Sequence, residues 1–169
     1  MSASFVAVGC KSWNRVHYET LLKPHGRGEW HYIGEKSELT RAALDALKPK
    51  YVFFLHWSWI VPAEIYENHR CVVFHMTDLP YGRGGSPLQN LIVRGHRETK
   101  LSALQMTGEL DAGPIYLKRP LSLEGSSAEE IYIRAGELSC EMARAIAKDD
   151  PEPVRQSGEV TEFRRRTPE

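Results

Sequence analysis

The sequence predicts an α/β fold: an open, mostly parallel sheet with helices on both faces. Short apolar runs alternate with longer stretches of helical periodicity. The runs, such as Tyr51–Leu55, are apolar without alternation, as suits strands covered on both sides. The length, 169 residues, is that of one domain with a real core.

Phe5-Val6-Ala7-Val8-Gly9 reads as a buried first strand ending at glycine. A helix follows from about Ser12 to Leu22, stopped before Pro24 and Gly26. Trp30–Ile33 is a short second strand. Ser37 can cap a helix whose Leu39, Ala43, Leu44 and Leu47 share one face, and Lys48-Pro49 ends it. Tyr51–Leu55 is the third strand, Pro62 opens a brief helix to about Asn68, and Cys71–Phe74 is the fourth strand. Pro87 starts a helix to Arg94, with Gly95 behind it as a stop. Leu101–Met106 and Ile115–Leu117 are two further strands. Ser127-Ala128-Glu129-Glu130 is a capping box heading a helix to about Lys148. Its stripe of Ile131, Ala135, Leu138, Met142 and Ile146 fits either a homodimer contact or packing on its own sheet. The tail after Asp150, rich in proline and charge, reads as loop. The whole is a Rossmann-like arrangement, in which ligands sit beyond the carboxyl ends of the strands.

Charge and cysteine content narrow the function classes. Lys and Arg number 22 and so do Asp and Glu, so no global field draws nucleic acid or an acidic membrane. Arg164-Arg165-Arg166 is a local basic run. Cys10, Cys71 and Cys140 are far apart with no C-x-x-C, which argues against a zinc cage and for reduced thiols in a cytoplasmic protein. The N-terminus lacks the basic-then-apolar pattern of a signal peptide, and no run is long enough to span a bilayer.

His75 closes the fourth strand, where a histidine is either a satisfied core residue or a catalyst. The turn after it holds Gly82, Gly84 and Gly85, which either make a tight connection or let backbone N–H groups approach a ligand. Arg83 between them could clamp an anionic substrate. Asp111 precedes Ala112-Gly113-Pro114, ordinary turn chemistry unless it meets His75. A carboxylate beside an imidazole orients the ring and fixes its tautomer, which suits proton transfer near neutral pH. Trp57, Ser58, Trp59, Ile60 and Val61 follow the third strand, where the two indoles could wall a flat aromatic ligand or cover the core edge. Gly9, Lys11 and Ser12 could cradle a substrate phosphate before the first helix, without a G-x-G-x-x-G or P-loop pattern. No metal site is expected.

Taken together, these motifs resemble those of the folate-dependent formyltransferases, a family of glycinamide ribonucleotide, methionyl-tRNA and amino-sugar N-formyltransferases. The similarity rests on His75, Leu79-Pro80, Arg83-Gly84 and Pro87, then on Glu98-Thr99, Gln105-Met106 and Leu110-Asp111-Ala112-Gly113. It covers roughly residues 4–120, and the tail around Gln156-Ser157-Gly158 and Phe163-Arg164-Arg165 resembles the sugar-modifying members. The resemblance implies a formyltransferase-type catalytic domain over residues 1–150 and a C-terminal tail over 151–169. It implies 10-formyltetrahydrofolate as co-substrate, held by Trp57–Val61 and by Met106, Gly108, Glu109 and Leu110. His75 and Asp111 would be catalytic, and the acceptor a primary amine, by preference a nucleotide-linked amino sugar. Glycinamide ribonucleotide is an alternative, and methionyl-tRNA is disfavoured by neutral charge and short length. Where the family has an asparagine two residues before the histidine, this chain has Val73, which cannot donate a hydrogen bond to a developing oxyanion. Thr77, Asn90, Ser102 or protonated His75 are the candidate replacements. A catalytically weak folate- or nucleotide-binding domain is therefore the other expectation.

Overall fold

The computed structural model describes residues 2–167. A six-stranded sheet of order β2-β1-β3-β4-β6-β7 forms its centre. The strands are β1 (Ser4–Gly9), β2 (Glu29–Ile33), β3 (Tyr51–His56), β4 (Cys71–His75), β6 (Glu98–Gln105) and β7 (Ile115–Ser122). β2, β1, β3 and β4 pair in parallel, while β6 is antiparallel to both β4 and β7. A two-residue strand β5 (Arg83–Gly84) pairs separately with β8 (Glu162–Phe163).

The uninterrupted apolar runs of β1 and β3 serve two cores. Phe5, Ala7, Tyr51 and Phe53 pack with Ile131, Ala135, Met142 and Ile146 of helix α5 (Ala128–Asp149). Val6, Val8, Val52 and Phe54 face the other way, toward Leu44 of α2 (Arg41–Leu47) and Ile65 of α3 (Ala63–Tyr66). α2 and α3 are too short to hold alone, so burial carries them. A fully buried leucine such as Leu44 contributes roughly 2 kcal/mol. The apolar stripe of α5 is spent on its own sheet rather than left for a partner.

α1 (Ser12–His17) runs straight into a π-helical turn over Tyr18–Leu22, filling the expected helix. The start of α2 differs from the sequence reading. Residues 36–38 form a 3₁₀ turn, and Thr40 rather than Ser37 caps the helix by accepting the Ala43 N–H at 3.1 Å. The Glu38 carboxylate takes the Glu35 N–H at 3.1 Å and closes the earlier turn on itself. At α5, Ser127 accepts the Glu130 N–H at 3.2 Å as expected. Glu130, however, turns to the N–H and hydroxyl of Ser126, at 3.0 and 3.2 Å.

β6 and β7 extend well beyond their apolar cores because they form a hairpin-like pair, and the polar residues of β7 lie on the sheet edge. The tail is not all loop. Phe163 is buried in the main core, and Val154 bridges to Ile115 of β7. A two-residue strand leaves no periodic trace in a sequence. No helix among the described residues is long and apolar enough to cross a membrane.

Candidate active site

His75 ends β4 and is buried, 8% exposed. Its Nε2 lies 2.8 Å from the Gly82 carbonyl. A carbonyl can only accept, so Nε2 carries a proton and donates it. That leaves Nδ1 as the basic nitrogen of the neutral ring. Nδ1 faces Asp111 Oδ1 at 3.6 Å, with both side chains nearly covered. The imidazole and carboxylate expected from two distant motifs therefore share one site.

Asp111 adopts φ 54°, a left-handed conformation that aspartate tolerates better than most residues. Its Oδ2 accepts the Gly84 N–H at 2.9 Å. The glycine turn thus works inward. Gly82 supplies the acceptor for His75, and Gly84 supplies the donor for Asp111. The Gly84 amide expected to meet a ligand is committed to the carboxylate. Gly84 has φ +104°, and a Cβ there would stand 2.5 Å from the Phe163 carbonyl, so only glycine fits. Gly85 lies against the backbone of Arg165. The Arg83 guanidinium, expected as an anion clamp, turns onto Gln156 Oε1 through Nε at 3.2 Å and Nη2 at 2.9 Å.

A cavity of about 460 Å³ opens beside Asp111. Trp57, Ser58, Trp59, Ile60 and Val61 form one wall, and Met106, Gly108, Glu109 and Leu110 form another. Val73 and Phe74 of β4 make the floor, and Arg165 of the tail reaches the rim. Trp57 and Trp59 meet edge to face with centroids 4.8 Å apart. This volume lies within the usual range of small-molecule sites, ~300–1,000 Å³. Ile60 and Leu110 are the most exposed large apolar residues of these walls.

A second hollow of about 190 Å³ touches His75 from the α5 side. Trp13, Asn14, His56, Tyr132 and Met76 are among its lining. Burial, with help from Lys11, pushes the His56 imidazole below its ordinary value. A third, more open hollow of about 620 Å³ shares Pro87 and Tyr132 with the second. Arg165 and Arg166 line it.

Part of the main chain in the expected phosphate cradle is engaged within the protein. The Cys10 N–H donates to His56 O at 3.0 Å, the Lys11 N–H donates to Asn14 Oδ1 at 3.0 Å, and Gly9 O accepts from the Tyr32 hydroxyl at 2.9 Å. Ser12 is simply the first residue of α1. Gly9, Lys11 and Ser12 therefore shape the neighbouring hollow without lining it.

The proposed substitutes for the missing asparagine are also committed. Thr77 Oγ1 donates to Gly82 O at 3.3 Å, and Ser102 Oγ donates to Thr77 O at 2.7 Å. Asn90 Nδ2 is shared among the carbonyls of Gly85, Ser86 and Arg164. These donors hold the turn and the tail, so of the four candidates His75 alone lines one of the hollows described above. The burial of Cys71 and Cys140 pushes both thiols up to about 12, far from reactivity. Among the described residues no three metal-ligating side chains come together.

No protein-family model matches the chain. Among curated proteins, a methionyl-tRNA formyltransferase of Thermodesulfovibrio yellowstonii is 29% identical over 125 residues, spanning 70% of this chain and 41% of the relative. One from Rickettsia prowazekii is 32% identical over 111 residues, or 63% of this chain and 37% of the relative. The chain thus spans less than half the length of these two relatives. Among solved structures, a methionyl-tRNA formyltransferase from Clostridium thermocellum is 45% identical with a TM-score of 0.93, covering 98% of this chain and 73% of that one. The formyltransferase PseJ from Anoxybacillus kamchatkensis, solved with UDP-4,6-dideoxy-4-formamido-L-AltNAc and tetrahydrofolate, shares the fold. It has a TM-score of 0.69 at 16% identity, covering 95% of this chain and 85% of that one.

Proposed function

This chain belongs to the folate-dependent formyltransferase family, and on that premise we propose that it moves a formyl group from 10-formyltetrahydrofolate to a primary amine. The observation that carries the reading is the His75–Asp111 pair, 3.6 Å apart, beside an aromatic-walled cavity of about 460 Å³. The folate lies in that cavity, its flat rings against Trp57 and Val61 and the 106–110 segment. The acceptor amine approaches His75 from the 190 Å³ hollow. Its nitrogen attacks the formyl carbon, and the C–O π electrons move onto oxygen. His75 Nδ1 takes the proton released by the amine and passes it to folate N10 as the C–N10 bond breaks. The Asp111 carboxylate, fixed by the Gly84 N–H, stabilises the imidazolium between those transfers. With Val73 on the cavity floor, the oxyanion meets a donor only once His75 Nδ1 has taken the amine proton, which predicts slow chemistry. Losing one oxyanion donor typically costs ~3 kcal/mol.

For the acceptor, a nucleotide-linked amino sugar remains our reading. The 190 Å³ hollow is small and mostly apolar, with Trp13 and Tyr132 at hand for stacking, which suits a sugar ring poor in hydroxyls. The adjoining hollow with Arg165 and Arg166 suits its phosphates. Methionyl-tRNA is the second reading, favoured by the 45% identity to the Clostridium thermocellum protein. It would place an apolar side chain in the small hollow and backbone phosphate at the arginines. A cytoplasmic site of action fits the folate co-substrate and the three free cysteines.

The test is to mix the protein with 10-formyltetrahydrofolate and, separately, nucleotide amino sugars, methionyl-tRNA and glycinamide ribonucleotide, following release of tetrahydrofolate. Release with one amine class identifies the acceptor. Release with none, while calorimetry still detects folate, would leave a binding domain without catalysis.

A further inference from the structure

We propose that Gln156, in the tail, is a positioning residue that sets the distance between His75 and Asp111. The inference rests on the formyl-transfer reading only for its kinetic consequence; the geometry stands apart from it.

All four hydrogen-bonding directions of the Gln156 carboxamide are engaged. Oε1 accepts from Arg83 Nε at 3.2 Å and Nη2 at 2.9 Å. Nε2 donates to the main-chain carbonyl of Asp111 at 2.8 Å and to that of Gly113 at 2.9 Å. One planar amide therefore ties the turn after β4 to the Asp-x-Gly loop. Arg83 sits between the two residues that hold the dyad, Gly82 on His75 and Gly84 on Asp111. Gln156 closes the circuit from outside, gripping the Asp111 backbone while Gly84 grips its carboxylate.

The rest of the tail supports this role. Thr161 Oγ1 accepts the Gly82 N–H at 2.7 Å, and Thr161 O accepts the Arg83 N–H at 2.9 Å. β8 pairs with β5 one residue further on. The tail thus braces the turn along its length, and among its described residues Gln156 alone also hydrogen-bonds the carboxylate loop. Asp111 needs such a grip because its left-handed backbone is sparsely populated for a residue with a side chain. The other main-chain tie across Asp111 is the long Ala112 N–H to Glu109 O bond at 3.4 Å, so without Gln156 relaxation carries the carboxylate away from Nδ1.

Two variants test the proposal. Gln156→Leu removes all four contacts. Gln156→Glu keeps the size and the two bonds from Arg83, but sets an acceptor against the carbonyls of Asp111 and Gly113. In both, kcat should fall ~10- to 100-fold, as for an ångström-scale misplacement, with the dissociation constant for a folate analogue unchanged within twofold. The ¹⁵N shifts of the His75 imidazole supply a readout that needs no turnover. The Nε2 shift should hold, because Gly82 O is retained, while the Nδ1 shift moves as Asp111 departs. A lowered melting temperature alone, with the Nδ1 shift unmoved in both variants or kcat within twofold of wild type, would overturn the assignment. If the wild type turns over no amine, the failure belongs to the functional reading, and the Nδ1 shift by itself decides the role of Gln156.

Discussion

Gly84 N–H and Asp111 Oδ2 lie 2.9 Å apart, closer than the 3.6 Å between that carboxylate and His75 Nδ1. A main-chain amide, not the imidazole, is the first anchor of the Asp111 carboxylate.

Removal of either dyad member should therefore cost rate, not fold. His75→Ala is expected to lower kcat by ~10²- to 10⁴-fold. Asp111→Asn keeps an acceptor for Gly84 and loses only the charge, so a smaller loss of about a hundredfold is expected. Circular dichroism should match wild type in both. A kcat within threefold of wild type for either would show that the roles are misassigned.

Gly84 joins stability to activity. A Cβ there would meet the Phe163 carbonyl at 2.5 Å, at a φ of +104°. Gly84→Ala should part β5 from β8 and cost about 1–3 kcal/mol in urea unfolding. Activity should drop more than tenfold under conditions where the variant is still folded, since the Asp111 anchor goes with it.

Val73 offers the opposite experiment. Its side chain lies in the floor of the larger cavity, on the strand that ends at His75. Val73→Asn restores an amide donor there and should raise kcat by up to about a hundredfold, with little change in folate affinity. An unchanged or lower kcat would mean that another group already serves the oxyanion.

Acid sensitivity has a local source at the other end of the sheet. Asp150 caps α5 and accepts from the Tyr51 hydroxyl, with Lys50 at 3.1 Å and Arg70 at 3.6 Å. The Tyr51 hydrogen bond, then Lys50 and Arg70, hold its carboxyl below the usual range. A depressed folded value adds stability above the unfolded one, about 3.9, and that stability is lost as pH falls through the folded value. Asp150→Asn tolerates the same left-handed backbone and removes the charge alone. Its melting temperature should fall below wild type at pH 6, and the gap should close near pH 2–3. The residue is 41% exposed in its side chain, so the effect is small.

Much of this was legible from residue order. β1, β3 and β4 announce themselves because strands covered on both faces need unbroken apolar runs. His75 and Asp111 stand out because turn residues surround them, and the aromatic 57–61 segment follows a strand end. What escaped is built from main-chain partners. Gln156 acts on carbonyls 45 and 43 positions away, and Gly82 and Gly84 act through backbone O and N. No side-chain pattern records such pairings. The small hollow escaped for another reason. Helical periodicity marks an inward face of α5, but not that Tyr132 meets Trp13 and His56 across a void.

The two hollows adjoin at the end of β4, with Phe74 alone in common among their lining residues. On the proposed reading the formyl donor and the amine enter by separate doorways, and neither tenant must depart before the other arrives. The rate law should be that of a ternary complex with no obligatory sequence of arrival. Double-reciprocal plots would then intersect rather than run parallel, and no formylated protein should accumulate when the amine is withheld.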